Sequence, residues 1–326
     1  MITSKASPIV SVLVTVYKRT TFLKTAIQSV LNQTFRDFEI ILLDDSGSHL
    51  AKAVCEPFLS SGKIRYHANL KTIGVAESLR AGIANSNAEF ISILNDDDFW
   101  EPEFLARLLP PLQADERRFL AFSDHWIADA DGKVDFLATE ENTVRYGRAN
   151  LPEGDVSNLP DFVLIKNGVP LAMASVFRKR ALDLRLLNSK VAGAYDFWIS
   201  CALSSTGGKF YFVPQRLTSW RLHLKMETGR RSPDKSDCMV FIISQILDRA
   251  WFPEMKDQLV RKLSDSWFRS GLDYSDFGQV ALALHCFVKA FLTKPSFKTA
   301  VKIVLYIPQK CFKTFFGYIR AKLFDR

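Results

Sequence analysis

Residues 90–98 read FISILNDDD, an apolar run interrupted by one serine and then Asn95, Asp96, Asp97 and Asp98. A run of this length reads as a strand buried on both faces, here ending in an acidic turn. Working outward, VSVLVTV at residues 10–16 is a second buried run and ends at Tyr17, Lys18 and Arg19. FEIILL at residues 38–43 is a third and ends in Asp44, Asp45, Ser46 and Gly47. A shorter strand is expected at residues 64–67. Phe22, Leu23, Ala26, Ile27, Val30 and Leu31 recur at helical spacing, with Thr20 or Thr21 placed to cap them, and residues 76–84 read as a second helix. This alternation predicts a largely parallel sheet. Ligands of such sheets bind at the carboxyl ends of the strands, which is where residues 17–19, Asp44–Asp45 and residues 95–98 gather.

At 326 residues the chain can hold one large α/β domain and a smaller appendage. A hydrophobic share of 48% allows a sizeable core. The net charge of +8 would suggest nucleic acid, but residues 289–326 hold nine of the 43 bases and one of the 35 acids, Asp325. The remaining body is neutral, so no nucleic-acid partner is expected. Cys55, Cys201, Cys238, Cys286 and Cys311 are far apart, without a C-x-x-C pair, which argues against a disulfide framework or a zinc site and suits a reducing cytoplasm. Residues 1–8 lack an apolar signal core, and no run reaches the roughly 18 residues that span a bilayer.

Beyond Leu105 the pattern loosens. Asp129–Gly132 reads as a turn between two strands, and residues 139–160 as polar loop. A helix is expected over 191–203, beginning near Tyr195 and Asp196, with strands at 210–213 and 217–221. From about Ser236 the chain reads as helices, with 260–271 and 277–292 as an antiparallel pair like one tetratricopeptide hairpin. Residues 297–324 mix large apolar residues with regularly placed Lys and Arg around Pro308. That composition suits an interfacial, cytoplasm-facing membrane anchor, or a helix packed on the domain with a solvated basic face. The expected organisation is a domain at 1–230, a helical region at 231–293 and a basic amphipathic tail at 294–326.

Three adjacent carboxylates repel one another unless a cation or hydrogen-bond donors compensate. Hard oxygen ligands suit Mg²⁺ or Mn²⁺ held jointly with substrate phosphates. The alternative is an acidic turn capping the next helix, with Pro102 in its first turn. Asp45 is a second strand-end acid, placed to accept hydrogen bonds from a base or ribose, or to serve as a turn residue. Asp124, after Phe122 and Ser123, is either an acceptor-side residue or a strand-end turn.

The blocks VSVLVTVYKRTTFLKTAIQSVLNQTFRDFEIILLDDSGS, NLKTIGVAESLRAGIANS and FISILNDDDFWEPEFL, in this order, resemble family 2 glycosyltransferases of the GT-A fold. The resemblance is strong over residues 10–105 and continues to about His223. It implies an inverting, hexosyltransferase-type enzyme that uses a nucleotide-sugar, UDP-linked by preference, with Mn²⁺ or Mg²⁺. In that pattern Thr15, Tyr17 and Arg19 hold the donor base and diphosphate, and Asp45 contacts the base. Asn69, Gly74 and Arg80 border the nucleotide, Asp96 meets the ribose, and Asp97 with Asp98 beside it binds the metal. Asn95 stands where many members have an acid, Arg80 where an Asn is common, and Asn87 where a Gly is common.

An acceptor hydroxyl needs a carboxylate to take its proton. Asp196, in AYDFW at residues 194–198, matches the second acid of the family's Glu-Asp pair, with Tyr195 replacing the Glu. A first-turn helix acid favoured by the dipole is the plainer reading. Trp198 is placed to line the acceptor pocket or to pack in the core. His223, in an Arg-x-His segment, is expected to complete the metal shell; Arg221 could meet phosphate, and residues 225–231 form a closing loop. The resemblance and the basic tail together imply surface-polysaccharide or lipid-linked glycan synthesis at the inner face of the plasma membrane. Three other readings compete. A degenerate transferase-fold scaffold draws on Asn95 and Tyr195. A nucleotidyltransferase or a dehydrogenase would want glycines after the first strand, and residues 15–20 have none.

Overall fold

A computed structural model describes residues 7–224, 226, 232–295 and 300–301. The chain divides into two compact units, Met1–Met226 and Glu227–Arg326. In the first, the β-branched runs form β1 (Val10–Val16), β2 (Phe38–Asp44), β3 (Ile64–Ala68) and β4 (Phe90–Asn95). Helices α1 (Leu23–Leu31), α2 (Lys52–Leu59) and α3 (Val75–Ala84) connect them. β1 pairs in parallel with β2 and β4, and β2 with β3. Thr15 lies opposite Leu43 on one side and Asn95 on the other, so β2 and β4 deliver their acidic ends at the same level of the sheet.

After β4 come β5 (Phe99–Trp100), α4 (Phe104–Ala114), β6 (Arg118–Ala128), α5 (Phe136–Arg145), β7 (Gly154–Asp155), α6 (Leu159–Leu164), α7 (Leu171–Ala174), β8 (Ser175–Arg178), α8 (Tyr195–Ser205) and β9 (Lys209–Arg221). The sheet order is β3-β2-β1-β4-β8-β6-β9-β5, with β7 on β9. β8 is antiparallel to both neighbours, β6 and β9 are parallel, and β5 and β7 are antiparallel to β9. The result is the expected mostly parallel α/β sheet with an antiparallel insertion.

β1 is apolar at nearly every position and covered on both faces, as a central parallel strand requires. Each fully buried Leu, Ile or Val stabilises by roughly 1.5–3 kcal/mol. Gly82 marks the closest approach of α3 to the sheet: a Cβ there would lie 2.4 Å from Leu13 Cδ2 and 2.8 Å from Leu43 Cδ1.

Several expectations are corrected. α1 begins after Phe22 and has no side-chain cap, so neither Thr20 nor Thr21 caps it. The turn at 129–132 leads through one isolated bridge, Ala128 to Val134, into a helix rather than a strand. Residues 139–160 are not continuous loop, because α5 occupies the first of them. Its N-cap Asp135 accepts from the Ala138 N–H, and Thr139 and Thr143 are buried. Thr139 accepts from Ile127 N at 2.9 Å, so polar residues anchor this helix to β6, and a hydrophobic period could not reveal it. The two strands expected at 210–213 and 217–221 are one, with a register irregularity opposite Ser123–Asp124.

The second unit contains α9 (Pro233–Asp248), α10 (Lys256–Asp276) and α11 (Val280–Thr293). α10 and α11 form the expected antiparallel pair, longer than the sequence suggested. Gly271 makes room for the Phe287 ring, and Ser264 donates to the Ala290 carbonyl at 2.8 Å. Ser270 and Tyr274 donate to Asp237, and Ser236 to Asp273, pinning α9 to α10. The basic tail and, apart from Met226, the loop at 225–231 lie outside the described residues. Among the described residues no helix is long and apolar enough to cross a membrane.

Candidate active site

Asp96, Asp97 and Asp98 are 5, 8 and 2% exposed. They do not cap α4, because β5 intervenes and the α4 N-cap is Glu103 without a side-chain bond. Arg19 donates to Asp96 Oδ1 at 2.8 Å and also to Asp97 Oδ2. His223 Nε2 stands 3.1 Å from that same Asp97 oxygen. Asp98 points elsewhere: its Oδ1 accepts from the Arg221 N–H at 3.0 Å. Burial pushes the Asp96 carboxyl up to about 7, against the pull of Arg19. Burial, then Asp97, holds Asp98 well above the ordinary carboxylate range. Asp96 Oδ2 is buried with no hydrogen-bond partner among the described residues.

Arg221 organises this turn from the other side. Its Nε donates to the Asp97 carbonyl at 2.9 Å and its Nη1 to the Ala130 carbonyl at 2.8 Å. Its guanidinium lies over the Phe22 and Phe99 rings, and Phe22 also packs on the His223 ring with centroids 4.9 Å apart. With Nε and Nη1 each donating to a main-chain carbonyl, Arg221 positions this turn. The helical spacing that included Phe22 gave no sign of its place beside Arg221 and His223.

Asp45 is occupied by its own chain. Its Oδ1 accepts from Asn69 Nδ2 at 2.8 Å and Ile73 N at 2.9 Å, and its Oδ2 from Gly74 N at 2.8 Å. Gly74 precedes α3 with φ +91°, a conformation L side chains rarely adopt. Asp45 therefore shapes the 69–74 segment that the resemblance sets beside a nucleotide. Arg80 is exposed on α3 and paired with Glu77. Thr15 donates to Asn95 Oδ1 at 3.3 Å, and Tyr17 is partly exposed at the strand end.

Two of the departures from the family pattern touch: the Tyr195 hydroxyl donates to Asn95 Oδ1 at 2.9 Å. That bond ties the acidic turn to the first residue of α8, where Asp196 follows. Burial raises the Asp196 carboxyl, and its Oδ1 accepts from the Phe197 N–H at 2.7 Å.

The two acceptor-side residues lie inside the protein. Trp198 is 1% exposed and donates to the Leu186 carbonyl at 2.8 Å, so it packs in the core and offers no face to a sugar in this conformation. Asp124 is 3% exposed and sits within β6, not at a strand-end turn. It accepts from Arg148 Nε and the Thr143 hydroxyl, both at 2.8 Å, with Arg216 at 3.5 Å. Beside it, burial and the Arg148 charge lower the His125 pKa to about 3, so this imidazole is neutral. Reading 139–160 as loop hid Arg148 and Thr143.

No group of three or more His, Cys, Asp or Glu stands at metal-holding spacing among the described residues. The donor chemistry nevertheless fits a divalent ion. A carboxylate oxygen and an imidazole nitrogen meet at one point, beside an unpartnered carboxylate oxygen. Mg²⁺-like ions commonly take one or two carboxylates from protein and the rest from waters and phosphates.

Residues 11–145 match the family model described as Glycosyl transferase family 2. An uncharacterised glycosyltransferase of Rickettsia typhi is 25% identical over 218 residues, 67% of this chain and 65% of that protein, so the match spans just under two thirds of the relative. The structure of S. aureus TarS 1-349 in complex with UDP-GlcNAc superposes with a TM-score of 0.65 at 14% identity, over 97% of this chain and 88% of that one. The mannosyltransferase PcManGT of Pyrobaculum calidifontis, in complex with GDP-Man and Mn²⁺, gives 0.54 at 14% identity over 98% and 88%. Residues 11–145 thus carry the sequence pattern of glycosyltransferase family 2, and the sheet that contains them has the GT-A fold of these neighbours.

Proposed function

We propose that the first unit is an inverting transferase that moves a hexosyl group from a nucleotide-sugar, a UDP-sugar by preference, onto an acceptor hydroxyl. The observation that carries this reading is the convergence of Asp97, His223 and Asp96 at the carboxyl end of β4, level with the Asp45 segment at the end of β2. The ligands bound to TarS and to the archaeal mannosyltransferase, UDP-GlcNAc and GDP-Man with Mn²⁺, support a nucleotide-sugar donor and a divalent ion.

Asp97 and His223 would hold that ion, whose chemistry is to neutralise the leaving diphosphate as a Lewis acid. The 69–74 segment shaped by Asp45 borders the nucleotide, and Thr15 and Tyr17 face it from the end of β1. Asp196 takes the acceptor proton. Its burial raises its proton affinity toward the working range of a general base. Arg221 and the Tyr195–Asn95 bond hold the acidic turn and the start of α8 in place. The acceptor is a glycan or lipid-linked hydroxyl in surface-polysaccharide synthesis. Attachment to the inner face of the plasma membrane rests on the sequence of residues 297–324 alone. The scaffold reading loses weight because Asn95 and Tyr195, its main support, satisfy each other.

The test is a thermal-shift panel of UDP-, GDP- and dTDP-sugars with and without Mn²⁺, followed by donor hydrolysis. A donor at about 100 times its Kd should stabilise by roughly 2.7 kcal/mol, and only with the metal. A panel with neither a shift nor hydrolysis overturns the reading.

A further inference from the structure

We infer that Arg19 is an exchangeable internal cation: in the donor-free chain its guanidinium occupies the acidic turn, and a divalent ion gains Asp97 only by displacing it. This rests on the reading of Asp97 as a cation ligand. Three consecutive carboxylates, each at least nine-tenths buried, need positive charge nearby. Arg19 provides it in an unusual way. Arginine commonly meets a carboxylate with two nitrogens in a parallel fork. Here the single nitrogen Nη2 bridges two carboxylates, Asp96 Oδ1 and Asp97 Oδ2, as a metal ion would. The Asp97 oxygen it takes is the one that faces His223 Nε2. A divalent ion bound between Asp97 and His223 would therefore contend with Arg19 for the same atom.

Two further observations make displacement feasible. Arg19 sits at the end of β1 on an open loop with 18% of its side chain exposed, so it has a route to solvent. Lys18, immediately before it, has φ +56°, a left-handed conformation that is unfavourable for a non-glycine residue. The arrangement keeps the buried acids neutralised until the ion arrives.

The test is Mn²⁺ titration of the full chain without nucleotide, followed by the electron paramagnetic resonance of free Mn²⁺, for wild type, Arg19→Ala and Arg19→Gln. If Arg19 is docked nine-tenths of the time or more, both variants should bind Mn²⁺ at least about tenfold more tightly. Their metal-free Tm should fall below wild type, and saturating Mn²⁺ should remove the deficit. A merely structural arginine would lower Tm with and without metal and would leave Mn²⁺ affinity unchanged or weaker. If wild type binds Mn²⁺ and neither variant binds it more tightly, the inference fails while the proposed function stands. If no chain binds Mn²⁺ at all, the cation reading of Asp97 fails, and this inference with it.

Discussion

Asp124 within β6 and Asp97 at the end of β4 are both nearly buried carboxylates facing arginine, but their surroundings differ. Asp124 has a donor for each oxygen, and two arginines approach it. Despite burial, the Arg148 charge holds its carboxyl below the ordinary range. At the acidic turn, three carboxylates gather where Arg19 docks, one oxygen of Asp96 has no partner among the described residues, and burial raises both Asp96 and Asp98. The first cluster is finished and holds α5 to β6. The second is short of positive charge, which is the state expected of groups that complete their shell with a ligand. An acid's sequence neighbours do not distinguish these cases; the count of donors around it does.

The widest separation between the clusters should appear in turnover. Asp196→Asn should lower donor hydrolysis by about two to four orders of magnitude with little change in Tm. An unchanged rate would remove Asp196 from the chemistry. Next in size, Arg148→Ala removes the nearer of the two arginines from a buried carboxylate and should cost about 3–5 kcal/mol in urea unfolding. Asp96→Asn in chelator should change stability by less than about 1 kcal/mol, because relief of repulsion offsets the lost Arg19 contact. Equal losses from Arg148→Ala and Asp96→Asn would erase the distinction. Gly82→Ala lies far from both and should cost about 1–3 kcal/mol from the clash with Leu13 and Leu43.

pH sharpens the contrast. Asp196 must be deprotonated to accept a proton, and burial raises its pKa, so the acid limb of the rate profile should lie above the ordinary carboxylate range. Asp124 is depressed, so its contribution to stability is present above pH ~4 and is lost as pH falls below that. Urea midpoints measured downward from pH 5 should steepen in wild type and flatten in Asp124→Asn.

The parallel half of the fold was legible because buried runs such as VSVLVTV carry their own signal, and the strand-end acids follow from register. The resemblance named candidate residues; the sequence could not say how each is engaged. Asp45 turned out to be held by its own segment, Trp198 was sealed in the core, and Asp98 faced the Arg221 main chain. α5 escaped notice because its buried face is built from Thr139 and Thr143 rather than from an apolar stripe. Arg148 and Arg221 are linked to their partners across 24 and 124 positions, contacts that no local pattern encodes.

The hydroxyl-to-amide bond between Tyr195 and Asn95 joins residues a hundred positions apart. A phenylalanine at 195 would take away the hydroxyl that donates to the Asn95 amide oxygen, and an aspartate at 95 would bring a fourth carboxylate to a crowded corner. Single changes at either place are therefore disfavoured, while a matched double change is open. The bond thus makes the two positions one physical unit, in which a change at either end alters what the other can hold.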